Sequence, residues 1–203
     1  MILRDNLWAG RRAFVVGGGP SLRGFDFSLL AGEHTIGCNT PPDKFIPSIW
    51  ISIDQQFWEE YSKIDHPCKV WATGPRRTSL DADLTKLRLL PRPSWSTSLA
   101  HGIGDGDNTG FSALNLAWIL GANPIYLLGF DLKGEDGLEA HWHDSVFDRG
   151  PETVYEKFKK TFETLASSGK IGHRKIINLN PGSALECFER RPCGDVLDWR
   201  WKI

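Results

Sequence analysis

At 203 residues, 40% of them hydrophobic and 24% charged, the chain is long and apolar enough to bury a full core, which excludes a disordered or low-complexity polymer. Its 24 Lys and Arg against 25 Asp and Glu give a formal charge of −1, so bulk attraction to nucleic acid or to an anionic membrane is excluded as the basis of function. No apolar stretch is long enough to span a bilayer and no signal-peptide core precedes the first strand; four widely spaced cysteines, Cys38, Cys68, Cys187 and Cys193, contain no C-x-x-C pair. A cytoplasmic protein with reduced thiols is the expectation.

The chain is organised around Arg12 to Leu22, RAFVVGGGPSL. Ala13 to Val16 is an apolar, β-branched run that reads as a buried strand, and it stops at Gly17, Gly18 and Gly19. Glycine leaves no Cβ in the way of a bound group, and Pro20, with φ preset near the helical value, opens a helical turn with Ser21 and Leu22. A strand, a glycine turn and a helix start together predict an anion site. Neither the P-loop pattern nor the full G-x-G-x-x-G pattern is present, so a tight turn that merely packs strand on helix is the competing reading.

Further along, Asp26 caps a short helix over FSLLAG, His34 to Gly37 is a second strand ending in Cys38 and Asn39, and Ile49 to Ile53 is a third that terminates at Asp54. Gln55 to Lys63 reads as a helix with Asp54 as a candidate cap, and Lys69 to Thr73 as a fourth strand. Residues 74–107 are irregular, with Pro75, Pro91, Pro93, four arginines (Arg76, Arg77, Arg88, Arg92) and HGIGDGDN, and read as an insertion or a flexible connection. Regularity returns with a helix over Thr109 to Leu120 capped by Asn108, then the strand Pro124 to Leu128 closed by Gly129, Phe130 and Asp131. A short charged lid, 131–150, precedes an amphipathic helix from Pro151 to about Ser167, a strand Ile176 to Leu179, and a last short helix from Ala184. Of the nine tryptophans, Trp58, Trp95, Trp142, Trp199 and Trp201 sit beside polar residues and are candidates to line a groove.

Strands alternating with helices predict a single α/β domain over residues 1–203: an open, mostly parallel, Rossmann-like sheet with helices on both faces. Ligands bind such sheets at the carboxyl ends of the strands, where this chain places Gly17 to Gly19, Asn39, Asp54, Thr73, Asp131 and Asn180.

GGGPSL, Cys38-Asn39, the segment NTGFSALNLAWILGANPIYLLGFDL from Asn108 to Leu132, and NLNPGSAL from Asn178 to Leu185 occur in an order and spacing that resembles the bacterial sialyltransferases of glycosyltransferase family 42. The wider group around that family includes motility-associated flagellin glycosyltransferases and archaeal-type 6-hydroxymethylpterin pyrophosphokinases. The resemblance implies a nucleotide-sugar donor, with a CMP-sugar favoured, and a hydroxyl acceptor. It implies that Gly17, Gly18 and Gly19, with Pro20 and Ser21, lie under the phosphate, that Asn39 bonds the nucleotide, and that Asn108, Thr109 and Gly110 face the phosphate or sugar. A histidine after the Gly-Phe-Asp strand is the general base in that family, which points to His141 or His143. Gly18 stands where the sialyltransferases carry an asparagine, and the lid lacks their tyrosines.

Two other readings stay open. A diphosphotransferase of the pterin pyrophosphokinase type requires Mg²⁺ on a carboxylate pair such as Asp54 and Asp131, whereas glycosyl transfer in the leading reading requires no cofactor. The third is a nucleotide-binding module without catalysis. His141 and His143 also have a metal reading with Asp131 or Asp54, although their spacing supplies no third ligand. No nucleic acid partner is expected, and a homo-oligomer is admitted.

Overall fold

In the computed structural model, which describes residues 1–74, 83–133 and 152–197, all eight strands join one sheet in the order β5-β4-β3-β2-β1-β6-β7-β8. They are β1 (Ala13–Val16), β2 (His34–Cys38), β3 (Ile49–Ser52), β4 (Lys69–Thr73), β5 (Thr85–Arg88), β6 (Ile125–Leu128), β7 (Ile176–Asn178) and β8 (Glu189–Arg190). Every pairing is parallel, with Val16 level with Gly37 of β2 on one side and with Leu128 of β6 on the other. The chain therefore winds outward from β1 through β5, then returns to lay β6 on the free side of β1. That reversal opens a crevice between the ends of β1 and β6.

Burial on both faces explains the near-continuous apolar strands. Ala13, Val15, Ile51, Val70 and Leu127 meet α2 (Thr109–Ile119) and α3 (Glu152–Ser167) in one core. Phe14, Val16, Leu128 and Ile177 face the opposite side, with Leu22 and Leu30 from the 3-10 turns Pro20–Leu22 and Phe27–Leu30. Beneath β3 and β4, α1 (Gln55–Tyr61) supplies Phe57 and Trp58 to a wholly buried aromatic cluster with Trp50 and Trp71. Trp58 is thus a core residue and lines no groove, because the α1 turn carries it under Trp50, ring centroids 5.8 Å apart.

Four local expectations are revised. The turn at Pro20 is a single 3-10 turn without a following helix. Part of the irregular middle is β5, an edge strand whose TKLR sequence lacks the apolar signature because three of its four residues are exposed. The residues after β5 are built into the core: buried Asn115 of α2 accepts from the Gly104 N–H at 2.7 Å and donates to the Ser96 carbonyl at 2.9 Å. No helix starts at Ala184; a Ser183-centred turn leads into β8 and a 3-10 turn, Cys193–Asp195. Among the described residues, no helix is long and apolar enough to cross a membrane.

Candidate functional site

A cavity of about 340 Å³ lies at the carboxyl ends of β1, β2, β3 and β6, over the crevice where the strand order reverses. Its wall takes in Gly17, Gly18, Gly19 and Pro20 from the first loop, Asn39 after β2, Asp54 after β3, and Gly129 to Lys133 after β6. Asn108, Thr109 and Gly110 bring in the start of α2, and Tyr155 and Phe158 of α3 form the apolar side. The topology brings together residues as far apart in sequence as Gly17 and Phe158.

The glycines earn their place by close approach. An added Cβ at Gly17 would stand 2.8 Å from the Gly129 carbonyl oxygen and 3.3 Å from the Phe130 ring. One at Gly19 would stand 2.6 Å from the same carbonyl and overlap the Asp131 carboxylate. The expected use of their amides is corrected: Gly17 N–H donates to the Leu128 carbonyl and Gly19 N–H to the Gly129 carbonyl, both at 2.8 Å. These two glycines hold the β1 loop against β6 and the loop that follows it, and their amides are satisfied within the fold.

The donor groups come instead from α2. Its cap is as the sequence predicts, with Asn108 Oδ1 accepting from the Phe111 N–H at 2.8 Å. The Thr109 and Gly110 amides have no acceptor among the described residues, so the first turn of an eleven-residue helix presents N–H groups and a positive dipole end to the cavity. Lys133, exposed and without an ion pair among the described residues, adds a positive charge at the rim.

Acceptors dominate the remaining wall. Asn39, held at φ +50°, donates its Nδ2 to Asp54 Oδ2 at 2.9 Å, and its Oδ1 is buried with no partner among the described residues. Thr109 Oγ1 donates to the same Asp54 oxygen at 3.4 Å, so the three residues are one network across β2, β3 and α2. Asp54 stands at the helix start of α1 but makes no side-chain cap there; its carboxylate turns to Asn39 because that amide lies within reach.

Asp131 is buried, 4% exposed, and its two oxygens are held separately: Ser21 Oγ donates to Oδ2 at 2.8 Å and Asn180 Nδ2 to Oδ1 at 2.6 Å. Ser21 and Asn180 therefore stand behind the wall as partners of Asp131, away from the cavity surface. Asn180 is fixed in turn by the Gly182 N–H, which donates to its Oδ1 at 2.9 Å. Thr73 does not reach the cavity, since its strand lies three places from β1. Sequence reasoning missed Tyr155 and Phe158; Phe158 falls on the apolar stripe of α3 with Val154, Phe162 and Leu165, which reads as core packing.

Asp107, also unforeseen, sits at φ +69° on the cavity rim and is ion-paired with both Arg92 and Lys157; Arg92 also reaches Asp105 at 3.1 Å. Burial pushes the Asp105 carboxyl up from its ordinary value, against the opposing pull of Arg92. His141, His143, Trp142, Arg76 and Arg77 lie outside the described residues. His66 is a buried packing residue: its Nε2 lies 2.7 Å from the Pro47 carbonyl and its Nδ1 accepts from the Cys68 N–H.

No protein-family model matches this sequence, and no curated protein matches it. Among solved structures, a MAf glycosyltransferase from Magnetospirillum magneticum AMB-1 has the same fold, with a TM-score of 0.60 and 17% sequence identity over 94% of this chain. This chain spans 35% of the length of that protein.

Proposed function

We propose that the chain binds a nucleotide-sugar in the β1/β6 cavity and transfers the sugar to a hydroxyl acceptor. The observation that carries this reading is the division of the wall into two chemistries. One side offers the free amides of α2 and Lys133, suited to a diphosphate or phosphate. The other offers the Asp54 and Asp131 oxygens, suited to the hydroxyls and exocyclic amine of a nucleoside or sugar. A wall of acceptors alone would repel a phosphate; a wall of cations alone would not read a sugar. The likeness of fold to a glycosyltransferase supports the reaction class, and the sequence resemblance favours a CMP-sugar.

In this reading the α2 amides stabilise charge on the departing phosphate, and Asp54, through Asn39 and Thr109, fixes the donor's position. His141 or His143 takes the acceptor proton. The Mg²⁺-dependent diphosphotransferase reading would use Asp54 and Asp131, which are already oriented by hydrogen bonds, Asp54 Oδ2 from Asn39 and Thr109 and the two Asp131 oxygens from Ser21 and Asn180, with lone pairs left over for a cation; the Mg²⁺ dependence of nucleotide binding separates the two readings.

Thermal-shift titration with CMP-, UDP- and GDP-sugars and with ATP, each with and without Mg²⁺, tests the proposal. A donor at a hundred times its Kd stabilises by about 2.7 kcal/mol, a rise in Tm of about 5–10 °C for a domain of this size. The expected result is a Mg²⁺-independent rise with one nucleotide-sugar, lost in Asp54→Ala and retained when His141 and His143 are both replaced by Ala, although turnover then stops. If no nucleotide-sugar raises Tm the proposal fails, and a rise with ATP that depends on Mg²⁺ would replace it with diphosphate transfer.

A further inference from the structure

A second cavity of about 300 Å³ lies on the outer side of α3, between that helix and Pro93, Ser94 and Trp95. It is separated from the β1/β6 cavity by the first turn of α2 and by the Lys157–Asp107 ion pair: Asp107 faces the first cavity, Lys157 the second. Nothing in the proposed transfer uses it.

Its lining combines two features. The cationic one is Lys157, Lys160 and Lys170, with no acidic residue among the lining groups. Lys157 is engaged by Asp107, but Lys160 and Lys170 have no ion-pair partner among the described residues. The apolar one is Trp95, which packs edge-on against Phe111 and Trp118 at 5.6 and 5.8 Å and so cannot swing away from the groove. Thr161 and Thr164 donate their hydroxyl protons to the Lys157 and Lys160 carbonyls, which leaves only lone pairs for a ligand there.

We infer that this groove is a binding site for a small organic anion with a flat apolar body, an aromatic phosphate or carboxylate. The ring lies against Trp95 and the anionic group between Lys160 and Lys170. Charge alone or ring alone satisfies only half of the lining, so an aryl anion must bind more tightly than either fragment.

The test is titration of the full chain with phenyl phosphate, benzoate, inorganic phosphate and benzyl alcohol, followed by the indole N–H signals of the nine tryptophans in a ¹H–¹⁵N spectrum. Trp95 is assigned by the signal missing in Trp95→Phe. We expect phenyl phosphate or benzoate to shift the Trp95 signal, with an affinity at least tenfold above inorganic phosphate and benzyl alcohol. Lys160→Gln with Lys170→Gln, both at exposed positions, weakens that binding about tenfold, the equivalent of two modest ion pairs. Asp54→Ala leaves it unchanged. The inference is overturned if neither aryl anion shifts the Trp95 signal, if inorganic phosphate or benzyl alcohol binds as tightly, if the double lysine variant binds as well as the parent, or if Asp54→Ala removes the effect. A Trp95→Phe chain that fails to fold leaves the lysine variant and the fragment comparison to decide.

Discussion

Replacing Gly19 by alanine tests the geometry on which the cavity depends. The new methyl overlaps the Asp131 carboxylate and stands 2.6 Å from the Gly129 carbonyl oxygen, and neither is the free end of a flexible chain. Asp131 is buried and anchored at both oxygens, by Ser21 at 2.8 Å and Asn180 at 2.6 Å, so it cannot yield without breaking one of these bonds. Overpacking costs about 1–3 kcal/mol and a hydrogen bond to a charged group about 1.5–3 kcal/mol, which together predict a loss of about 3–5 kcal/mol. For a chain of this size that lowers Tm by about 10 °C. The assay is urea unfolding of Gly19→Ala beside Gly194→Ala, whose Cβ meets nothing within 4 Å. In an Asp131→Ala background the same substitution costs at least about 1.5 kcal/mol less, since the carboxylate bond at risk is then gone. A Gly19→Ala protein within about 0.5 kcal/mol of its parent would refute the close approach, and with it the account of why this turn is glycine.

Other consequences concern the frame around the cavity. Asn115→Ala leaves the Gly104 N–H and the Ser96 carbonyl without their buried partner and costs about 3 kcal/mol in denaturant unfolding, with residues 94–104 becoming sensitive to protease. Trp58→Ala empties the centre of the cluster formed with Trp50, Phe57 and Trp71 and costs about 3–5 kcal/mol by the same measurement. Burial holds the His66 imidazole below its ordinary value, with the adjacent Lys69 acting in the same direction. Below about pH 6.5 the unfolded chain therefore binds a proton that the folded chain refuses. The His66 contribution to stability is present above that pH and is lost as pH falls towards the folded value; His34, lowered by burial and Arg11, adds the same sign. Urea midpoints at pH 7.5 and 5.5 should fall on acidification, and fall less in His66→Gln.

Much of this protein was legible in its sequence because burial on both faces leaves a local mark. The short apolar runs at Ala13–Val16, Lys69–Thr73 and Ile125–Leu128 are strands, and Asn108 is the cap of α2, since a side chain three residues before Phe111 reaches its amide whatever the rest of the fold does. Of the residues placed at the strand ends, Gly17 to Gly19, Asn39, Asp54 and Asp131 line one cavity, whereas Thr73 and Asn180 do not. What each of them does there was decided by contacts remote in sequence. Asp54 has the sequence position of a helix cap but bonds Asn39 and Thr109, because β2 and α2 come beside it only in the folded sheet. Gly17 and Gly19 follow a strand and precede a helical turn, an order that reads as an anion site, yet their amides are taken by the carbonyls of Leu128 and Gly129 at the end of β6. Periodicity reports that a segment is buried and never against what. The return of β6 to the free side of β1, which makes the crevice and brings Asp131 to Gly19, exists only in the tertiary structure.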